Sequence, residues 1–427
     1  MPEIYSQSSD IRRTSIGDLV EFTELGSPDW GLDFAPLLAD LFSRDGVDPL
    51  RIPGGDLAAD GLFVYRNAEL KTLMVHPDLG NQPPDMVARH VREVGQDGDP
   101  GLQQLMTFSP FTMHPPSHNP QRQLFARQVT TKPLAEYGDA IRQLTEQLID
   151  ESADKPEIDF KQDFTRLIMV GFWSLLLGIS HAESDHACRL ASRSQQSNLF
   201  HPTVAQKQDI NAASSQLLEF ISSVVARQIG KADRPIFAAL VRDTEQMDEA
   251  YRPASLASLF GVSLLDGLHS LASEIASIVH ALLSSERHLA AVRENRNLVT
   301  SAFHEGVRLH PAVSVTSRQA LRDFEYQGLV VPAGTAVTMA WLFGNRDPAA
   351  FERPGEYEFE RSNRRQTTFG GGFYICPGRN VVKLLGEIVL AALTEPSVEI
   401  VPTGTARWIA GSALHELATM PVAIRRR

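Results

Sequence analysis

The sequence predicts a mainly α fold with a small β region, and three observations carry that prediction. Amphipathic and apolar helical patterns fill about residues 121–310. Short β-favouring alternations cluster at about 48–80, 313–343 and 398–427, and no internal repeat or low-complexity linker divides the chain. A single domain over residues 1–427 is therefore expected, although length alone would suggest about three.

Taken in order, Gly61 to Gly80 starts with a β-favouring run and continues at helical spacing, predicting a strand and then a helix that ends at His76-Pro77. Between Asn81 and Pro116 the chain is rich in Pro, Gly, Asp and Gln, which predicts a long loop covering a pocket. From Gln121 helical patterns dominate, broken near Gly178, Pro202 and Pro235. The longest nearly uninterrupted apolar run, Leu167 to Ile179, has 13 residues. It reads as a buried helix, because a membrane span needs about 20. Ala254 to Ser285 predicts one helix of 32 residues, and Arg293 to Leu309 another that stops at His310-Pro311. Tyr326 to Phe343 alternates as strands with a turn at Pro332 and Gly334. An irregular stretch, Gly344 to Pro377, precedes a last helix, and Val398 to Ile424 is strand-like again.

Composition narrows the function. With 43% hydrophobic and 22% charged residues the chain has ample core, which excludes disorder and a disulfide-stapled mini-fold. Its two cysteines, Cys188 and Cys376, cannot build a zinc site of several thiolates, and Cys188 is expected to be structural. A net charge of −12 argues against holding nucleic acid through phosphate contacts. The start, MPEIYSQSSDIRR, has no apolar core of the kind a secretory signal or membrane anchor needs. A cytoplasmic monomer without membrane attachment is expected.

The most informative segment is TTFGGGFYICPGRN, Thr367 to Asn380. Three glycines allow close approach of something flat and bulky. Cys376 precedes a helix amino terminus, where free N–H groups and the helix dipole favour a thiolate. Taken alone, the segment also suits a buried structural cysteine beside a Gly-rich turn. A nucleotide loop is disfavoured, because no Gly-Lys-Ser/Thr ending follows. Two other signatures fail: HEGVR, His304 to Arg308, puts an arginine where a zinc protease needs its second histidine, and no Gly-x-Ser-x-Gly elbow occurs.

The segment resembles the cysteine loop of the cytochromes P-450, with Phe369, Gly372, Cys376 and Gly378 in register. The resemblance implies a P-450 fold with a long central helix over haem, and Cys376 as the axial thiolate on the iron of haem b. The cationic residue usual two before the cysteine is Tyr374 here, a phenol that can hydrogen-bond a propionate but not neutralise it. Other matches appear in the family's order. Glu305 and Arg308 fit the Glu-x-x-Arg pair, 71 residues before Cys376, with NRDP and EFER between them. Arg361 resembles the third member of that structural triad. His118 and Arg122, four apart, resemble the pair that meets the haem propionates, and Arg318 resembles a third propionate ligand.

The same alignment places Asp266-Gly267-Leu268-His269-Ser270 on the oxygen-activation segment, normally Ala/Gly-Gly-x-Asp/Glu-Thr. Gly267 fits a helix distortion there, and Ser270 keeps the hydroxyl. His269 replaces the acid, so a His269–Ser270 proton route is expected, with simple packing of His269 as the alternative. The pocket positions implied are Leu264, Leu265, Leu268, Val313, Ser314, Val315, Thr316, Ala413 and Leu414.

Residues 361–383 carry Arg361, Arg364, Arg365, Arg379 and Lys383 and no acid, a window of +5 in a chain whose remainder is −17. Such a patch suits an acidic ferredoxin or flavodoxin-type donor passing electrons from NAD(P)H. The implied activity is a monooxygenase that inserts one atom of O2 into a hydrophobic small molecule, in the setting of secondary metabolism. A peroxide-using or non-redox haem-thiolate enzyme and a noncatalytic haem sensor remain open alternatives.

Overall fold

The computed structural model describes residues 15–44, 49–54, 59–92, 98, 100–107, 109, 112, 122–123, 126–127, 129–228, 252–361 and 365–427, with the side chains of residues 252–255, 268 and 269 left aside. The amino-terminal part holds α1 (Ala35–Ser43), β1 (Leu50–Ile52), β2 (Gly61–Val64), α2 (Asn67–Leu73) and β3 (Leu79–Gly80). Next come α3 (Pro84–Ala88) and α4 (Gly101–Met106), where the sequence predicted only loop. Both helices begin at a proline, Pro84 at the first turn and Pro100 at the cap, so residues that look like breakers act as starts.

The helical body consists of α5 (Thr131–Ala153), a β4 strand (Ile158–Asp159), a π-helical turn (Phe160–Thr165), α6 (Arg166–Leu177), α7 (His181–Ser194), α8 (Val204–Gln228) and α9 (Arg252–Leu283). Gly178 ends α6 in the left-handed region, φ +66°, as the break there predicts. With 32 residues, α9 spans about 48 Å. It packs against α6, α7 and α8, and against the two helices that follow nearer the carboxyl end. By length and composition residues 256–283 would suit a membrane span, but 81% of the apolar window is buried inside the protein, which makes α9 the core helix.

The expected helix Arg293 to Leu309 is two helices, α10 (Glu286–Glu294) and α11 (Val299–Leu309). Asn295 separates them: it leaves helical geometry and its side chain accepts from the Asn297 N–H at 3.1 Å, an alternative to the helical ladder. Then follow β5 (Val315–Ala320), β6 (Phe324–Tyr326), β7 (Leu329–Val331), β8 (Ala336–Ala340), α12 (Trp341–Gly344), α13 (Arg379–Leu393), β9 (Val398–Pro402), β10 (Arg407–Trp408), β11 (Leu417–Thr419) and β12 (Pro421–Arg426). Trp341 to Phe343, predicted as strand, is a helical turn: the Asn345 N–H closes onto the Trp341 carbonyl and the indole N–H reaches Thr316 Oγ1 at 2.9 Å. Five strands form one sheet in the order β1-β2-β8-β5-β3, with only β2 and β8 parallel; β4-β12-β9, β10-β11 and β6-β7 form the others.

The largest core cluster gathers α4 to α9, α11 and α13. Cys188 lies in it, fully buried, its thiol pushed up to about 12 by burial, which makes it a packing residue and inert.

Candidate functional site

The cysteine loop is held from three sides. Gly370 and Gly372 both sit at φ +61°, and a Cβ on Gly371 would come within 2.7 Å of Met74, just after α2. Larger residues at positions 370 and 372 would therefore strain the turn, and one at 371 would push the Met74 side chain aside. The Cys376 N–H donates to the Phe369 carbonyl at 2.8 Å, and Arg379 Nη1 donates to the Cys376 carbonyl at 3.0 Å. Gly378 caps α13, whose first residue is Arg379.

A buried ionic network fixes this loop. Arg308 grips Glu305 with two hydrogen bonds, 2.8 and 2.7 Å, while Arg361 Nε reaches the same carboxylate at 2.8 Å. Arg308 also donates to the Asn345 carbonyl at 2.9 Å. The Asn345 side chain in turn accepts from the Thr367 N–H at 2.6 Å and donates to Thr368 Oγ1 at 2.6 Å. Glu305, Arg308 and Arg361 thus meet as the motifs imply, and their link to Cys376 runs through Asn345, the first residue of NRDP.

Cys376 lies deep in the protein yet keeps accessible surface. Burial pushes its thiol up; the Gly378 and Arg379 N–H groups and the Arg122 and Arg379 guanidinium groups pull it back down. Arg122 and Arg318 share this environment. Arg318 projects from β5 with its guanidinium 4.9 Å from the Tyr374 ring centroid, and its one hydrogen bond goes to the Ser317 carbonyl at 3.3 Å. Burial, opposed by the Tyr374 phenol and aided by Arg122, lowers it to about 10. Arg122 Nη2 is buried and has no partner among the described residues. Two desolvated cations beside a cysteine, with no carboxylate pairing either of them among the described residues, are the donor set that a flat dicarboxylate bearing a thiolate-seeking metal would complete. The residues present fit haem. His118 lies outside the described residues.

The centre of α9 differs from the expectation. The helix runs through Gly267 without a break, and the space a Cβ would need there is limited by Trp173 at 3.3 Å. Gly267 therefore gives room to Trp173, and no helix distortion appears. Ser270 donates its hydroxyl to the Asp266 carbonyl one turn back. The side chains of Leu268 and His269 lie outside the described set, so the His269–Ser270 pair has no geometry to report.

The pocket positions do not all face one way. Leu264 and Leu265 are fully buried in the core. In β5 neighbouring side chains alternate: Val315 packs with the aromatic cluster of Phe22, Trp30, Phe34 and Phe63, whereas Thr316 engages Trp341 on the opposite face. Val313 bridges to Leu414, and Ser314 Oγ donates to the Ala413 carbonyl at 2.8 Å, joining the carboxyl-terminal hairpin to this segment. The described pocket positions, drawn from three segments of the sequence, thus divide among core, sheet and hairpin contacts.

Of the basic window, Arg361 is consumed by Glu305 and Arg379 lies over the cysteine loop; Arg365 and Lys383 are exposed, and Arg364 is outside the described residues. Phe373, 62% exposed, stands on the loop itself. A separate cavity of about 370 Å³ lies among Glu21, Asp29, Trp30, Asp33 and Asp40 and contains none of these residues.

Sequence reasoning missed the polar joints around α9. Lys161 and Glu416 form a buried ion pair at 3.1 Å, and Ser273 donates to the same carboxylate at 3.0 Å. Glu274 accepts from the Ala312 N–H, and His310, Trp408 and His415 form a buried stack. One signal was available: Asp266 and Glu274 are the only acids in an apolar helix of 32 residues.

Comparison with known proteins agrees with this geometry. Residues 269–396 match the family described as cytochrome P450. The 6-deoxyerythronolide B hydroxylase of Saccharopolyspora erythraea is 25% identical over 370 residues, covering 87% of this chain and 90% of that protein. Nocardicin C N-oxygenase of Nocardia uniformis subsp. tsuyamanensis is 26% identical over 401 residues, 92% of this chain and 96% of its own. Among solved structures, CalO2 superposes with a TM-score of 0.82 at 18% identity, covering 96% of this chain and 100% of that one. Epothilone D-bound P450epoK gives 0.81 at 18% identity, with 95% and 99% covered. With these relatives, and with this fold around Cys376, the chain has the cytochrome P450 fold and is similar to bacterial cytochrome P450 monooxygenases.

Proposed function

We propose that the chain is a bacterial-type haem-thiolate monooxygenase that oxidises a hydrophobic small molecule of secondary metabolism. In this reading it works as a cytoplasmic monomer and draws electrons from NAD(P)H through a ferredoxin or flavodoxin-type protein. The observation that carries the reading is the cluster at Cys376: a deep thiol facing backbone N–H groups and Arg379, beside the cations Arg122 and Arg318, which no carboxylate pairs among the described residues.

Cys376 would hold the iron of haem b through its sulfur, and Arg122 and Arg318, with His118 and the Tyr374 phenol, would take the propionates. When bound, haem supplies the activation of O2, so that one oxygen atom enters the substrate and the other leaves as water. The rest falls to the chain's own residues. The Phe369 carbonyl and Arg379 fix the Cys376 backbone from behind, and the Glu305 network keeps the loop from shifting. Gly378 and Arg379 N–H groups accept part of its charge. Exposed Arg365, Lys383 and the Phe373 ring offer an acidic donor a charged and apolar footing on the same side.

The absorption spectrum of the reduced carbon monoxide complex tests the reading. Thiolate ligation is expected in the native protein and its loss in Cys376→Ser; a histidine-type spectrum in the native protein overturns it. A second reading, peroxide use, is favoured by one observation, the Ser270 hydroxyl turned back into the helix. Turnover supported by peroxide but not by a ferredoxin system would select it.

A further inference from the structure

The two acids of α9 are not equivalent. Glu274 has a structural duty, accepting the Ala312 N–H and so tying α9 to the segment that meets the carboxyl-terminal hairpin. The Asp266 side chain makes no hydrogen bond or ion pair with any described residue. It nevertheless lies deep in the protein and keeps accessible surface, as do Ser270, Cys376 and Arg318. Accessible surface that deep belongs to the wall of an internal space. Asp266 and Ser270 are four residues apart and share a helix face, so that wall continues along α9.

An unpaired carboxyl in such a place lowers stability and has no structural return. Its neighbours on the helix, Leu264 and Leu265, are apolar core residues. The described cations near the site, Arg122, Arg318 and Arg379, gather at the cysteine end, and none of them moves the Asp266 carboxyl, which burial alone raises to about 7. Among the described residues the charges are therefore polarised, with cations at the sulfur and the Asp266 carboxyl on α9.

We propose that Asp266 is the polar anchor of the substrate pocket and that the substrate is an apolar small molecule carrying a basic nitrogen, held as an ammonium against this carboxylate. The inference rests on the monooxygenase reading above and deepens it. In a low-dielectric pocket a single charge pair outweighs any other contact available to Asp266, and it rejects the uncharged isostere by leaving the acid unpaired.

The test is calorimetric binding to the haem-loaded enzyme. The probes are N,N-dimethylcyclohexylamine with its carbon isostere isopropylcyclohexane, the cyclohexyltrimethylammonium cation with tert-butylcyclohexane, the alcohol cyclohexylmethanol, and the same set on an adamantyl frame. The quaternary cation cannot ligate iron, so its preference reports on the pocket. Cations are expected to bind at least about tenfold more tightly than their isosteres and the alcohol. Asp266→Asn should erase that preference while leaving the hydrocarbons unchanged, and Asp266→Glu should keep it. Equal binding of cation and isostere, no binding by any cation, a preference for the alcohol, or a cation preference that survives in Asp266→Asn overturns the inference. The carbon monoxide spectrum of the same preparation separates the two claims: a thiolate spectrum with no cation preference defeats the inference alone, and a missing thiolate spectrum defeats the monooxygenase reading.

Discussion

The cysteine loop and the centre of α9 each hold a desolvated acid and treat it in opposite ways. Cys376 is surrounded by groups that favour its anion: two backbone N–H groups, Arg122 and Arg379. Asp266, one of the two acids of α9, has only the penalty of burial. Both groups are raised by desolvation, but only the thiol is compensated from within the chain. The difference teaches that the chain itself supplies groups that favour the anion at Cys376, whereas no described residue does so at Asp266, which is what the proposed roles of a held cofactor and a bound cationic substrate require.

The sharpest way to break the comparison is at the sulfur. Cys376→Ser should abolish the thiolate spectrum and all monooxygenation, while Asp266→Asn should keep the spectrum intact; a shared loss would mean that the two ends are one structural unit. Next in size is the frame behind the loop. Glu305→Ala leaves Arg308, 2% exposed, as an unpaired buried cation. Urea unfolding should show a loss of about 3–5 kcal/mol, with haem content falling in parallel. The propionate end is tested by Arg318→Ala, expected to weaken haem retention by about 1.5–3 kcal/mol, read as faster haem transfer to an apoprotein acceptor.

A smaller effect separates α9's far end from both sites. Burial holds His415 at about 3, and it lowers His280 and His310 as well. Between pH 6.5 and about 3 the unfolded chain binds a proton at His415 that the folded chain refuses, so stability is full above pH 6.5 and falls as pH drops. The expected slope is about 1.4 kcal/mol per pH unit for each such histidine. His415→Gln should flatten it, and an unchanged slope would assign acid sensitivity elsewhere. The smallest effect is Ser270→Ala: its hydroxyl bonds only back into the helix, so stability should change by less than about 0.5 kcal/mol. Any consequence should appear as peroxide released per NAD(P)H consumed.

Legibility followed the range of the interactions. The span of α9, the αL stop at Gly178 and the strand before α2 depend on neighbours a few residues away, and the sequence predicts each to within a few positions. The division of α10 from α11 at Asn295 and the helical turn at Trp341 were not predicted, because a side chain competing for backbone groups decides them. At the site, the resemblance of the motifs to those of the cytochromes P-450 placed Glu305, Arg308 and Arg361 in one constellation. It did not show that Asn345 carries their rigidity to Thr367 and Thr368, since those contacts join segments more than 20 residues apart.

By itself the sequence determined the helical class, the ordered motifs around Cys376 and the excess of cations near it, because residue type and local spacing set each of them. Only the tertiary structure decided which of those cations stay unpaired among the described residues, that Val315 turns into the aromatic core while Thr316 turns to Trp341, and that Asp266 lies deep without a partner among the described residues. Burial and pairing depend on what distant segments bring to the same point, and no local spacing encodes that.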